Sequence, residues 1–165
     1  THGALGALAG AVCFPQDPVA QAACVVGSMT PDGPFTLIYM RDKILKGVYN
    51  QAGLSKLDWA IYNSSHSFVV WATLGLVGYL LGWSTVPVWQ AFFLGALVFH
   101  IIVDTLTHNG KKIGMRDGEY LWPFGTFQVP FAWEYRTGED HLWPKPFEAV
   151  VLVVAIVAMI MLHLR

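Results

Sequence analysis

Charge is scarce in this chain. Only 13 % of residues are Asp, Glu, Lys or Arg, against 55 % hydrophobic, a balance too apolar for an ordinary soluble domain. The few charges nearly cancel, at net −1, and the basic residues are interleaved with acids. No basic stripe is available for nucleic acid, which removes that class of partner. Cysteine is limited to Cys13 and Cys24, both in apolar sequence. They are expected to be buried free thiols acting as small hydrophobes, not a disulfide or a metal pair. The first residues carry no basic n-region and no A-x-A pattern, so no cleavable signal peptide is expected. No low-complexity linker interrupts the chain, and residues 1–165 are read as a single membrane-embedded helical domain.

What the chain does have is long apolar runs. Ser67–Trp83, Val86–Leu106 and Phe147–Leu164 each approach the roughly 20 residues that a hydrocarbon core requires. The expected fold is therefore an all-α integral membrane helical bundle. Its three clear transmembrane helices are placed at 67–83, 86–108 and 147–164. A further apolar region, Gly3–Met29, is broken by Pro15-Gln16-Asp17-Pro18. Each half is only about 17 Å long as a helix, half a bilayer. Residues 2–29 therefore read as a re-entrant helical hairpin, with a straight fourth span as the alternative. The hairpin would return His2 and Asp32 to one side, with Gly3, Gly6 and Gly10 offering a smooth packing face.

Arg41, Lys43, Lys46 and Lys56 precede the first clear span, and Lys111, Lys112, Arg116, Arg136 and Lys145 lie between the second and third. The positive-inside rule then puts both polar loops in the cytoplasm. Residues 35–49 read as an amphipathic surface helix or an ordinary solvent-facing one. Asn63-Ser64-Ser65 are expected to cap the next span, placing His66 in its first turn. Residues 109–146 form an aromatic and proline-rich cytoplasmic loop.

Within the second span, His100, Asp104 and His108 recur every four residues. Four residues of α-helix drift by only about 40°, so the three project from one side of an otherwise apolar helix. A carboxylate in hydrocarbon persists only when paired, wetted or bound to a metal. With the hairpin topology His2, Asp32 and His66 join this group at the cytoplasmic end. Imidazole and carboxylate together suit zinc, iron or manganese. A lone His at a span end is more often interfacial, and an Asp in Pro-Asp-Gly more often a turn residue. Asp104 and His100 are the two whose burial demands a reason.

Several short pieces stand in a recognisable order: Thr1-His2-Gly3, Gly27-Ser28-Met29-Thr30-Pro31-Asp32, Ser65-His66-Ser67, His100-Ile-Ile-Val-Asp104-Thr-Leu-Thr107-His-Asn-Gly110 and Trp122-Pro123-Phe124. Over about the first three quarters of its length the chain resembles the YdjM-like bacterial inner-membrane metal-dependent hydrolases, grouped with zinc-dependent phospholipase C. The resemblance implies a small helical inner-membrane protein with metal-binding His and Asp residues and phosphoester hydrolase activity, and the topology above makes it multi-pass with that site at the cytoplasmic face. The matching positions are His2, Asp32, His66, His100 and Asp104. His108 lies outside the pattern and rests on its spacing alone. The family tends to read Pro-Asp-x-Asp-His after the hairpin, whereas Gly33 and Pro34 follow Asp32 here, and the stretch from Gly110 to Trp122 is longer than usual.

The expectation is thus one or two divalent ions, zinc before manganese or iron, with Asp32, His66 and Asp104 in the catalytic role. Lys111, Lys112 and Arg116 could hold a phosphate or lipid headgroup, or simply serve the positive-inside rule. The substrate expected at headgroup depth is a lipid or lipid-linked phosphoester. Two other classes stay open. One is a non-catalytic membrane subunit or scaffold, in a homo-oligomer or larger complex, with a structural or vestigial metal site. The other is a haem or metal-transfer protein using paired histidines.

Overall fold

The structure is a computed structural model that describes residues 2–47, 53–107 and 120–125. Among them every regular element is helical. The expected span at 147–164, His108 and most of the 109–146 loop lie outside the described residues.

Two helices of 12 residues, α1 (His2–Cys13) and α2 (Pro18–Met29), stand either side of the proline break. Asp17 starts α2 by accepting the Ala20 N–H at 2.9 Å, and Pro18 occupies the first turn, where its missing N–H costs nothing. The two helices pack back to back. A Cβ placed on Gly10 would lie 2.9 Å from the Gln21 Cα, so only glycine admits that approach. The chain folds back on itself, and His2 and Met29 end up together at the open end of the hairpin.

A short 3-10 turn, Thr30–Asp32, leads into α3 (Gly33–Lys46), which ends at Gly47 in the left-handed conformation. Then come α4 (Lys56–Ser65) and α5 (Phe68–Leu80). The sequence reading is corrected here. Asn63-Ser64-Ser65 do not cap the following span; they form the last turn of α4. That helix is started by Ser55 and Asp58, whose side chains each hold the other's backbone N–H. The cap of α5 is Ser67, which accepts from Val69 and Val70. His66 is therefore the junction residue between two helices. A second correction concerns Cys13, which is exposed, whereas Cys24 is buried; both are free thiols.

After a 3-10 turn at Trp83–Thr85, α6 (Pro87–Phe93), a π-helical stretch (Leu94–Ile102) and α7 (Val103–Thr107) run on without a break. Pro87–Thr105, 19 residues, is the one helix among the described residues long and apolar enough to cross a bilayer. Phe68–Leu80 and His2–Cys13 are apolar but shorter.

The long helix is seated on α2 through paired glycines. A Cβ on Gly27 would collide with the Phe92 carbonyl, and one on Gly95 with the Cys24 carbonyl. Backbone-to-backbone contact of this kind is how small residues join apolar helices. Ala9, Ala20, Cys24 and Ala91 fill the joint, and Trp71, Ala96, Ile101 and Tyr120 form a second cluster towards α5. Residues 120–125 dock at the start of α5: Ser67 Oγ donates to the Trp122 carbonyl at 2.6 Å, and the Phe68 N–H donates to the Tyr120 carbonyl at 2.8 Å.

Candidate metal centre

The elements converge on one polar spot. His2 opens α1, Asp32 precedes α3, His66 links α4 to α5, and His100 and Asp104 project from the long helix. The structure brings these five together. It places His108, Lys111, Lys112 and Arg116 outside the described residues.

Each imidazole is oriented by a backbone carbonyl. His2 Nδ1 lies 3.0 Å from the Phe99 oxygen, His66 Nδ1 3.1 Å from the Tyr62 oxygen and His100 Nδ1 2.7 Å from the Ser28 oxygen. A carbonyl can only accept, so in each ring the Nδ1 carries the hydrogen and donates it. Ser65 Oγ also lies 3.1 Å from His66 Nδ1, but its own hydrogen is drawn to the Pro31 or Tyr62 carbonyl, each at 2.8 Å. In the neutral rings, all three Nε2 atoms are therefore bare lone pairs.

Those lone pairs face one another and the carboxylates. His66 Nε2 and His100 Nε2 are 3.3 Å apart. Asp104 Oδ2 is 3.2 Å from His100 Nε2 and 3.7 Å from His66 Nε2, and Asp32 Oδ1 is 3.6 Å and 3.5 Å from the same two atoms. Four acceptors converging in this way repel unless a cation sits among them. The size is right for one: ligands about 2.05 Å from a tetrahedral ion stand about 3.3 Å from each other. The three separations within His66–His100–Asp104 are 3.2, 3.3 and 3.7 Å. His2 adds a fifth donor, its Nε2 3.0 Å from Asp104 Oδ1, while its ring stacks on His100 at 3.9 Å. Two triads result, His66–His100–Asp104 and His2–Asp32–His100, with His100 common to both, and either group could hold a metal ion.

The two sides of the cluster differ in access. His66, His100 and Asp104 are buried, whereas Asp32 is half exposed. Its side chain does not cap α3, which leaves it free to point into the cluster. Beside it opens a cavity of about 220 Å³ lined by His2, Gly3, Met29, Asp32 and Thr36.

Met29 and Thr36 carry no polar break or periodic signal, and nothing in the sequence marks them as lining residues. The Ser28, Tyr62 and Phe99 carbonyls are equally silent there, because any residue supplies a carbonyl. In comparisons with known proteins, no family model, no curated protein and no solved structure matches this chain.

Proposed function

We propose that this chain is a multi-pass bacterial inner-membrane hydrolase that uses a divalent metal, zinc by preference, to cleave a phosphoester in a lipid or lipid-linked substrate. The observation that carries the reading is the convergence of Nε2 lone pairs and carboxylate oxygens, with every Nδ1 hydrogen already spent on a carbonyl. That is how metal-binding histidines are oriented from behind. The resemblance to the YdjM-like family supports the reaction class, and the apolar Pro87–Thr105 helix supports the membrane setting.

His66, His100 and Asp104 would hold the ion, with His2 orienting Asp104 or serving a second ion. When bound, the ion supplies Lewis-acid chemistry, acidifying water and offsetting charge on phosphoryl oxygens. Asp32, half exposed and bordering the cavity, would take a proton from the attacking water. Gly3 and Met29 give that cavity an apolar wall for the organic part of the substrate. His100, fully enclosed and tied to Ser28, keeps the cluster fixed while the half-exposed side admits substrate.

The test is metal analysis and turnover on detergent-purified protein, wild type beside Asp104→Ala. Stoichiometric metal with hydrolysis of bis(p-nitrophenyl) phosphate or a phospholipid, both lost in the variant, is the expected result. Stoichiometric metal without turnover of either would instead establish the non-catalytic subunit. Visible absorbance in the purified protein would point to haem, and no metal after add-back would end the metal reading.

A further inference from the structure

Helices α3 and α4 form an inside-out pair. Arg41 Nη1 donates to Asp58 Oδ1 at 2.8 Å and Nη2 to Asp58 Oδ2 at 3.2 Å, while Nε and Nη2 reach Asp42 Oδ1 at 3.0 and 2.8 Å. Lys46 Nζ adds a 3.1 Å bond to Asp42 Oδ2. At the other end Ser65 Oγ reaches the Pro31 carbonyl at 2.8 Å. The early part of α4 thus meets the middle of α3, and its end meets the start of α3, so the two run antiparallel. The carboxylates are inside, Asp42 1 % and Asp58 5 % exposed, while the large aliphatics are outside: Leu37 69 %, Ile44 75 %, Leu45 74 % and Leu57 68 %. Leu37 and Ile44, seven residues apart, fall on one stripe of α3, away from Asp42.

This is the reverse of a water-facing helix pair, in which charge stays outside and aliphatic side chains turn in. It is the pattern of ionisable groups in lipid, which face inward and pair with one another. The charges that do reach the surface of this pair share one sign. Among its described residues the exposed charged side chains are Arg41, Lys43, Lys46 and Lys56, and both acids are buried. The three lysines stand at the end away from the His–Asp cluster, Lys43 and Lys46 in the last turn of α3 and Lys56 at the start of α4. Aliphatic stripe and cationic end together match acyl chains and anionic headgroups.

We infer that the α3–α4 pair is a membrane-docking surface that lies in the headgroup–acyl boundary of an anionic phospholipid bilayer. Leu37, Ile44, Leu45 and Leu57 face the acyl chains, and Lys43, Lys46 and Lys56 face the phosphates. The surface stands whether or not the His–Asp cluster binds an ion. It ties the cluster to the interface, because Asp32 and His66 are fixed to the other end of the same two helices, and α3 with its 14 residues is only about 20 Å long.

The test uses the full chain in a Cys13→Ser background, with buried Cys24 left in place. Leu45→Cys and Leu57→Cys are each labelled with an environment-sensitive NBD dye. The labelled proteins are reconstituted in phosphatidylcholine vesicles with and without phosphatidylglycerol, and circular dichroism checks the fold of each. Brominated phosphatidylcholine should quench both labels, and aqueous iodide should not. Lys43→Gln/Lys46→Gln/Lys56→Gln should remove the dependence of the Leu45→Cys signal on phosphatidylglycerol. Labels quenched by iodide and untouched by bromolipid would overturn the inference. So would shielding from both quenchers that grows with protein density, because a second copy would then cover the face. A lysine variant that keeps the full phosphatidylglycerol dependence would overturn the assignment of the cationic end.

Discussion

Among the described residues, two places bury a carboxylate among ring or guanidinium nitrogens, and they resolve the cost in opposite ways. Between α3 and α4, Asp42 and Asp58 meet Arg41 and Lys46, whose hydrogens point at the oxygens. Every charge has its counter-charge within the chain, and the joint is self-sufficient. Around His100, the ring hydrogens point the other way, to the Ser28, Tyr62 and Phe99 carbonyls, and the carboxylates of Asp32 and Asp104 face lone pairs. That arrangement could hold a cation from outside. A buried acid alone does not distinguish a structural brace from a ligand site; the direction of the neighbouring N–H bonds does.

The largest effect expected from this contrast is in metal content. Asp104→Ala should lower metal affinity by more than about a hundredfold, beyond what losing an outer partner does, whereas Arg41→Ala should leave metal content near that of the wild type. Mass spectrometry of both purified variants settles it, and equal loss in the two would mean that the regions are not separable. His66→Ala should follow Asp104→Ala.

Next in size is a packing test. Gly95→Ala would push a methyl into the Cys24 carbonyl and move the long helix off α2, costing about 1–3 kcal/mol. Because His100 is tied to Ser28 across that joint, thermal stability and metal affinity should fall together. A drop in stability with unchanged affinity would show that the joint does not set the ligand geometry.

A smaller effect sharpens the outer partners. Ser65→Ala removes the hydroxyl that links Pro31 to His66 and should weaken metal binding by roughly tenfold. Unchanged affinity would leave the Tyr62 carbonyl alone as the orienter of His66.

The brace itself should titrate. Contact with Arg41 holds the Asp58 carboxyl well below the usual carboxylate range, and Arg41 and Lys46 do the same for Asp42. A depressed folded-state value means that the contribution is complete above the ordinary carboxylate range, near pH 4, and is lost as pH falls through the depressed values. Protection of the α3 and α4 amides, measured against their intrinsic exchange rates, should therefore fall only in acid, and Asp58→Asn should bring that loss to neutral pH. The smallest effect is expected from Lys111→Ala, which should leave metal content unchanged.

Parts of this contrast were legible in the sequence. The prolines at 15 and 18 mark where α1 gives way to α2, because proline cannot continue a helix it interrupts. His100 and Asp104 stand out as polar breaks at helical spacing in hydrocarbon. Helix α4 was hidden, since its capping pair Ser55–Asp58 is short and its apolar residues point outward, against the usual period. The Arg41–Asp58 bond joins residues in different helices, and no local pattern announces it. The orientation of the imidazoles was invisible for a related reason: it depends on carbonyls, which every residue has.

The π-helical stretch at Leu94–Ile102 has a consequence that composition alone would not suggest. Its wider turns hold one more residue than an α-helix would need over the same path, often the mark of an insertion at a working site. Were the stretch to tighten into ordinary helix with every residue kept, the extra residue would have to be taken up along the axis. The part beyond it would swing by about 100° around the axis. His100 and Asp104 would then keep their identities and their mutual spacing and still miss His66, Asp32 and Ser28. In this protein the winding of a greasy, featureless run is as much a determinant of the site as the chemistry of its residues.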